Sequence, residues 1–288
     1  MANLDAKILS YSPQIYRKFN ESTVSTAAIN LGSVTADTIT ITAPAQVTYV
    51  ADGPIGATQD SWNFQKILST GDPRINHNQT TSIAAVNDKD FSAGFWVKWM
   101  QFPTNSSVSA NVLFAGSGVV SATGAGFLLA YGGSGGSSAR KLAIQASNGT
   151  TNTTTFSTNT IPNDTNWHYI AVRRSGTTIE AYLDGQLYVT ATNPITTAST
   201  GSFLYGGVSA FPQSAFNLRL SHFYLTPFST IGPTEIQEIW LAGSTNQRTV
   251  KYFDGTTWQT SSAQKVWNGT AWDDWNAKRF DGSNWVNV

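Results

Sequence analysis

Apolar and polar residues alternate with a period of two in one segment after another of this chain, and that periodicity confines it to half-buried β-strands. Asp37 to Thr42 reads Asp-Thr-Ile-Thr-Ile-Thr, and Gln46 to Val50 repeats the pattern ahead of an Asp52-Gly53-Pro54 turn. Phe95, Val97 and Trp99 share one face of the run that begins at Phe91. Further strands are expected over 112–114, 126–131 and 141–145, separated by Gly/Ser clusters that punctuate turns. Trp167 to Arg173, Thr178 to Leu183 and Gln186 to Thr190 then read as two successive hairpins, because Ser175-Gly176 and Asp184-Gly185 tolerate the positive φ of a tight turn. Helical spacing is confined to one stretch. Pro233 suits a first helical position, Ile236, Ile239 and Trp240 form an i, i+3, i+4 stripe, and Gly243 is a natural stop, so one short helix is expected near 233–241.

After residue 245 the pattern gives way to a repeat. Lys251 to Trp258, Lys265 to Trp272 and Lys278 to Trp285 all follow Lys-x-aromatic-(Asp/Asn)-Gly-(Thr/Ser)-x-Trp. Each unit reads as a hairpin on a two-residue Asp-Gly or Asn-Gly turn, a register that sets Lys251 opposite Trp258, Lys265 opposite Trp272 and Lys278 opposite Trp285. Five of the ten tryptophans, Trp258, Trp267, Trp272, Trp275 and Trp285, fall in this tail. So short a segment, with no cysteine to cross-link it, is marginal alone. The expected division is therefore a sandwich over 1–245 and a hairpin segment over 246–288, whose tryptophans serve attachment or oligomerisation.

Charge excludes several functions. Lys and Arg total 17 and balance 17 acidic residues, and no basic stripe exists to track a nucleic-acid backbone. Charged residues are 12% of the chain, against roughly 25% in an average soluble domain, so uncharged Ser, Thr, Asn and Gly must cover the surface. With no cysteine there is no thiolate zinc site and no thiol nucleophile. Residues 1–20 contain no apolar core of a secretory signal, and Gly, Ser and Thr interrupt every candidate membrane span, so neither signal peptide nor membrane insertion is expected.

Several segments, taken in order, carry a resemblance. Ile8 to Tyr16 with Phe19-Asn20-Glu21, Phe91 to Val97, Asn166 to Arg173, Tyr182 to Gln186 and Pro233 to Trp240 resemble successive landmarks of the laminin-G-like, concanavalin A-like domains of bacteriophage virion proteins. The terminal Asp-Gly-x-x-Trp repeats are similar to tails of phage minor tail and fibre proteins. The resemblance spans about residues 5–245 and implies an all-β, antiparallel jelly-roll β-sandwich, in agreement with the periodicity. It further implies a non-enzymatic virion component (minor tail, fibre or head decoration) that contacts other virion proteins, assembles as a homo-oligomer with a trimer as the expected state, and binds cell-surface polysaccharide.

Two alternatives stay open at this point. One is a carbohydrate-binding module of a cellular or secreted protein. The other is a polysaccharide hydrolase, which would need a carboxylate pair. The four glutamates, at 21, 180, 235 and 238, lack the Glu-x-Asp-x-(x)-Glu pattern of the hydrolases that share this fold, so no catalytic residue is assigned. Sugar stacking would use exposed aromatic faces, for which Trp62, Tyr131, Tyr205 and Phe211 are the candidates, although most aromatics in a sandwich are core. Many laminin-G-like domains hold calcium at the sandwich rim. That resemblance makes Asn87, Asp88 and Asp90, and Asn163 and Asp164, candidate ligands; both clusters are equally ordinary turn chemistry.

Overall fold

The computed structural model describes residues 4–22, 24, 29–34, 39–54, 60–66, 74–77, 89–102, 112–115, 125–132, 138–148, 150–192, 203–208, 216–227, 231–244 and six three-residue strands beyond 250. The chain divides into two compact units, Met1–Thr245 and Asn246–Val288. Each is taken by itself.

Two antiparallel sheets make up the first unit. The first sheet contains β1 (Ile15–Arg17), β3 (Val47–Val50), β4 (Ser61–Lys66), β6 (Phe91–Gln101), β11 (His168–Ser175), β12 (Thr178–Leu183), β13 (Gln186–Thr192) and β15 (Phe216–Pro227). Its order is β13-β12-β11-β6-β15-β4-β3, with β1 also paired to β15. The second sheet has the order β10-β9-β8-β7-β14-β5-β2, built from β2 (Ile39–Thr42), β5 (Arg74–His77), β7 (Val112–Ala115), β8 (Ala125–Tyr131), β9 (Lys141–Asn148), β10 (Asn152–Thr160) and β14 (Phe203–Val208). These strands and pairings are those among the described residues.

The alternation of the sequence is used as expected on the inner faces. Phe64, Phe95, Val97, Leu218 and Leu220 of the first sheet share one core with Ile75, Leu113, Phe127, Leu129, Leu142 and Ile144 of the second. Aromatic rings bridge the two layers, Phe91 with Phe127 at 5.3 Å between centroids and Phe114 with Phe223 at 6.2 Å. Each large side chain so buried contributes about 1.5–3 kcal/mol relative to exposure. The two hairpins read from the sequence are present: Ser175 pairs with Thr178, Leu183 pairs with Gln186, and both residues of the Asp184-Gly185 turn have positive φ, 51° and 74°.

Alternation does not mean solvent on the outer face of the first sheet. Every residue of β6 from Phe91 to Val97 is buried. A third layer accounts for this, because α1 (Leu4–Leu9) and α2 (Pro233–Gly243) lie outside the sheet and pack Leu4, Ile8, Ile236 and Ile239 against Tyr16, Trp96, Tyr169, Tyr182 and Tyr224. Helix α2 is the expected helix; α1 was not anticipated, since six residues are too few to display a periodicity. Close packing selects small residues here. A Cβ on Gly94 would sit 2.8 Å from the hydroxyls of both Tyr169 and Tyr224, and one on Gly243 would run into the Trp96 indole.

Strand β15 changes neighbours part-way. It pairs with β4 from Phe216 to Leu220 and with β1 from Phe223 to Leu225, with β6 along its other edge. His222 sits at the switch, in the left-handed region at φ 55°, where the ladder to β6 slips register between Ser221 and Tyr224. A bulge of this kind bends the strand and re-aims the side chain at the kink.

The second unit holds three hairpins, β16 (Lys251–Phe253) with β17 (Trp258–Thr260), β18 (Lys265–Trp267) with β19 (Trp272–Asp274), and β20 (Lys278–Phe280) with β21 (Trp285–Asn287). Their register corrects the sequence expectation. Trp258 pairs with Phe253, Trp272 with Trp267 and Trp285 with Phe280, while Lys251, Lys265 and Lys278 pair with Thr260, Asp274 and Asn287. Four residues separate each aromatic pair, so Asp-Gly is only half of the connection and each lysine is displaced by two positions from its expected tryptophan. The register thus sets an aromatic residue, not a lysine, opposite each of these tryptophans. Trp275 lies outside the described residues.

Candidate functional site

The two aromatic candidates whose side chains are described are core. Trp62 is fully buried and donates its indole N–H to the Glu21 carbonyl at 3.4 Å. Tyr131 is equally buried, with its ring edge-on to Trp99 at 5.7 Å. Both sit on inward positions of their strands, which outweighs the polar residues beside them in sequence. Tyr205 is placed in β14 with its side chain outside the description, and Phe211 lies outside the described residues.

Neutral polar residues form an open groove of about 450 Å³ instead, lined by Asn148, Thr151, Thr153, Thr155 and Thr192. Its volume falls within the roughly 300–1,000 Å³ of small-molecule sites. The β9–β10 hairpin builds one wall. Asn148 Oδ1 accepts the N–H groups of Thr150 and Thr151 at 2.9 and 2.7 Å, which fixes the tip. Thr153 pairs across the ladder with Ala146 and Thr155 with Ile144; Ala146 and Ile144 belong to the core, so the threonines continue that inner face beyond it. Spacing of two residues sets successive hydroxyls about 6.7 Å apart along the strand. Thr192, the last residue of β13, closes the opposite wall. Hydroxyls donate and accept, β-branched side chains are already rotamer-restricted, and none of these five groups is ionisable. Such a surface matches an uncharged polyhydroxylated ligand.

Two of the calcium candidates, Asp90 and Asp164, have protein partners. Asp90 accepts the Gly176 N–H at 2.7 Å, bracing the β11–β12 turn. Asp164 accepts the Asn166 N–H and faces His168 Nε2 at 3.0 Å, while Asn163 is exposed. Asn87 and Asp88 lie outside the described residues, among which no three His, Cys, Asp or Glu side chains converge on a cation position. Asp90 and Asp164 thus act as turn and histidine partners.

His168 has a carboxylate at each ring nitrogen, Asp184 Oδ2 at 2.7 Å on Nδ1 and Asp164 on Nε2. Asp184 also accepts the Tyr169 N–H at 2.8 Å, so the cluster ties the start of β11 to the β12–β13 turn. Burial lowers the His168 pKa, but hydrogen bonding and charge from Asp184, then Asp164, outweigh it and hold the pKa above the ordinary histidine value. The folded value thus exceeds the unfolded one of about 6.5. The cluster's stabilisation is full below that pH and is lost as pH rises through the folded value. His168→Gln should cost about 2 kcal/mol near pH 6 and abolish the decline above neutrality. Urea unfolding of both proteins between pH 5 and 9 tests this, and parallel pH profiles would refute it.

A second cluster is not legible in the sequence, because Asp5 lies more than two hundred residues from Ser221 and His222. Ser221 Oγ lies 2.6 Å from His222 Nδ1, and His222 Nε2 lies 3.3 Å from Asp5 Oδ1. The order imitates a Ser-His-Asp triad. Ser221 and His222 are fully enclosed, however, and Ser221 Oγ is already bonded to the carbonyls of Asp60 and Lys18 at 3.0 and 3.2 Å. With no substrate path to the hydroxyl, the cluster serves to fasten α1. Asp5 also accepts the Tyr16 hydroxyl at 2.5 Å and pairs with Lys18 Nζ at 2.5 Å.

A family profile described as the concanavalin A-like lectin/glucanases superfamily, laminin-G type, matches residues 69–237, more than half of the chain. The chain belongs to that superfamily. Among the described residues the four glutamates are placed as follows. Glu180 is bonded to the Tyr182 hydroxyl at 2.8 Å and lies 3.5 Å from Arg173, and Glu235 caps the Gly232 N–H. Glu238 holds Lys7 at 2.6 Å and Tyr11 at 2.7 Å, and Glu21 accepts the Ile29 N–H at 2.8 Å. Each has a structural partner; none lines the Asn148–Thr192 groove, and Glu21 borders a separate hollow with Lys18, Asn20, Ile29 and Leu31.

Several binding domains among the solved structures share the fold. The binding domain of Paraclostridial Mosquitocidal Protein 1 aligns with a TM-score of 0.59 at 12% identity, over 81% of this chain and 52% of that one. The botulinum neurotoxin DC binding domain in complex with rat synaptotagmin II gives 0.56 at 11%, over 84% and 53%, and the same domain in complex with SialylT gives 0.56 at 10%, over 81% and 52%. This superfamily member therefore spans about half the length of those chains, and at such identities the likeness is one of fold. No curated protein matches by sequence. Among the described residues no helix is long and apolar enough to cross a membrane.

Proposed function

We propose that this protein is a non-enzymatic recognition component of a bacteriophage particle (a minor tail, fibre or head-decoration protein) that binds host-surface polysaccharide in the Asn148–Thr192 groove and attaches through residues 246–288. The observation that carries the recognition reading is the groove itself, walled by four hydroxyls and an amide. Support for the particle reading comes from the resemblance of the ordered landmarks and the Asp-Gly-x-x-Trp repeats to virion proteins. In that setting the three hairpins contact other virion proteins or further copies of this chain in a homo-oligomer.

The expected result is that a polysaccharide retained by the full chain on a glycan array is retained about tenfold less by Thr153→Val/Thr155→Val, since each lost hydroxyl bond is worth about 0.5–1.5 kcal/mol. Retention equal to wild type removes the groove from the recognition role. Deleting 246–288 is expected to prevent particle incorporation and leave glycan binding unchanged; normal incorporation rules out the attachment role. A second reading, a carbohydrate-binding module of a cellular protein, is favoured by the self-contained contacts of Met1–Thr245 and predicts that the deletion has no effect on assembly.

A further inference from the structure

The two sides of the sandwich are finished differently. On one side the sheets end in β2 and β3, four residues each, with Pro44 two residues beyond β2 and Asp52 two residues beyond β3. Short edges, proline and charge are the devices that keep unpaired N–H and C=O groups from recruiting another strand. The other side ends in β10 and β13, nine and seven residues long, with no charged residue and no proline in either. Among the described residues each pairs on one edge only, β10 with β9 and β13 with β12. Seven of the nine residues of β10 are exposed. Two large apolar side chains stand in the open on this side, Phe156 of β10 at 40% and Leu187 of β13 at 53%.

We infer that the free edge of β10 is an interface between two copies of this chain, joined by antiparallel pairing of Asn152–Phe156 about a two-fold axis at Thr154. The segment is complementary to itself in that register. Thr154 meets Thr154 of the second copy, Thr153 meets Thr155, and Asn152 meets Phe156. Threonine pairs across a ladder are favourable, and no charge is opposed to its like. An isologous contact of this kind closes on itself and ends the row of open backbone groups. Pairing is limited to this half of the strand because its ladder to β9 becomes irregular between Phe156 and Thr160. The pairing uses the free backbone edge of Thr153 and Thr155, whose side chains also line the groove, and its test reads mass rather than glycan binding.

The test is sedimentation velocity of the full chain, wild type against Thr154→Lys and Thr154→Glu, with circular dichroism to confirm folding; Thr154 is exposed, so neither charge enters the core. Wild type should sediment with twice the mass of either variant, like charges at the axis weakening self-association at least about tenfold. An equimolar mixture of the two variants should recover the wild-type mass, because Lys then faces Glu. Equal masses for wild type and Thr154→Lys overturn the inference, including the case where the edge takes a strand from a different protein. A mass difference that the mixture fails to restore overturns the two-fold register.

Discussion

Gly94→Ala is expected to lower the stability of the sandwich unit by about 2–3 kcal/mol, at the upper end of what overpacking a core costs. The new methyl carbon would lie 2.8 Å from the Tyr169 hydroxyl and 2.8 Å from both Cε1 and the hydroxyl of Tyr224. Neither ring can withdraw easily. Both tyrosines are fully buried beneath the helices, and their hydroxyls are hydrogen-bonded to each other at 2.6 Å. Burial raises the pKa of Tyr169 well above the ordinary tyrosine value, so the pair stays protonated and the bond is a neutral one. Relief requires either a shift of β6 or the loss of that bond, and in both cases Tyr224→Phe should cost less in the alanine background than in wild type. Thermal unfolding checks this directly. A melting temperature unchanged to within about 1 °C, well below the 2–4 °C per kcal/mol expected at this size, would falsify the packing argument.

Asp5→Ala should cost about 3 kcal/mol, the lower end of the range for removing one member of a buried charge network. The carboxylate answers Lys18, the Tyr16 hydroxyl and His222 together, and its loss leaves three donors from α1's neighbours without their acceptor. Burial raises the Asp5 pKa, but the hydrogen bonds from His222, Lys18 and Tyr16 outweigh it and hold it far below the usual carboxylate range. For a carboxylate depressed on folding, the stabilisation is present above the unfolded value near 3.9 and disappears as pH falls through the folded one. Wild type and Asp5→Ala should therefore differ most at neutral pH and converge in strong acid. Should the difference persist undiminished at pH 2, or be absent at pH 7, the network is not what fastens the helix.

The sequence was a good guide wherever a local signal determined the outcome. Asp184-Gly185 specified its hairpin because positive φ at both residues is cheap for that pair, and Pro233 with the Ile236–Ile239 spacing specified α2. It was a poor guide wherever the outcome depended on a distant partner. Trp62 and Tyr131 stand beside Asn, Ser and Gly in the chain, yet face inward because strand parity, not neighbouring polarity, decides burial. The groove threonines carry no signal of their own in the sequence, since only the approach of Thr192 from the other sheet makes them a wall. In the tail the Asp-Gly dipeptide correctly signalled a reversal, but loop length was underestimated by two residues and every lysine–tryptophan pairing moved with it. The covering of the first sheet by α1 was invisible, because its anchors Tyr224 and His222 come more than two hundred residues later.

That last separation bears on how the molecule is made. Strand β1 near the beginning of the chain finds its partner in β15, at the end of the sandwich. Closing so long a loop is entropically unfavourable until the intervening strands have already paired, so the N-terminal helix and strand dock late. During synthesis they emerge well before β15 and must wait, unpartnered, while the two sheets assemble behind them. The bulge at His222 then becomes the receiver for residues made some two hundred positions before it, and the last contact to form is the one between the two ends of the unit.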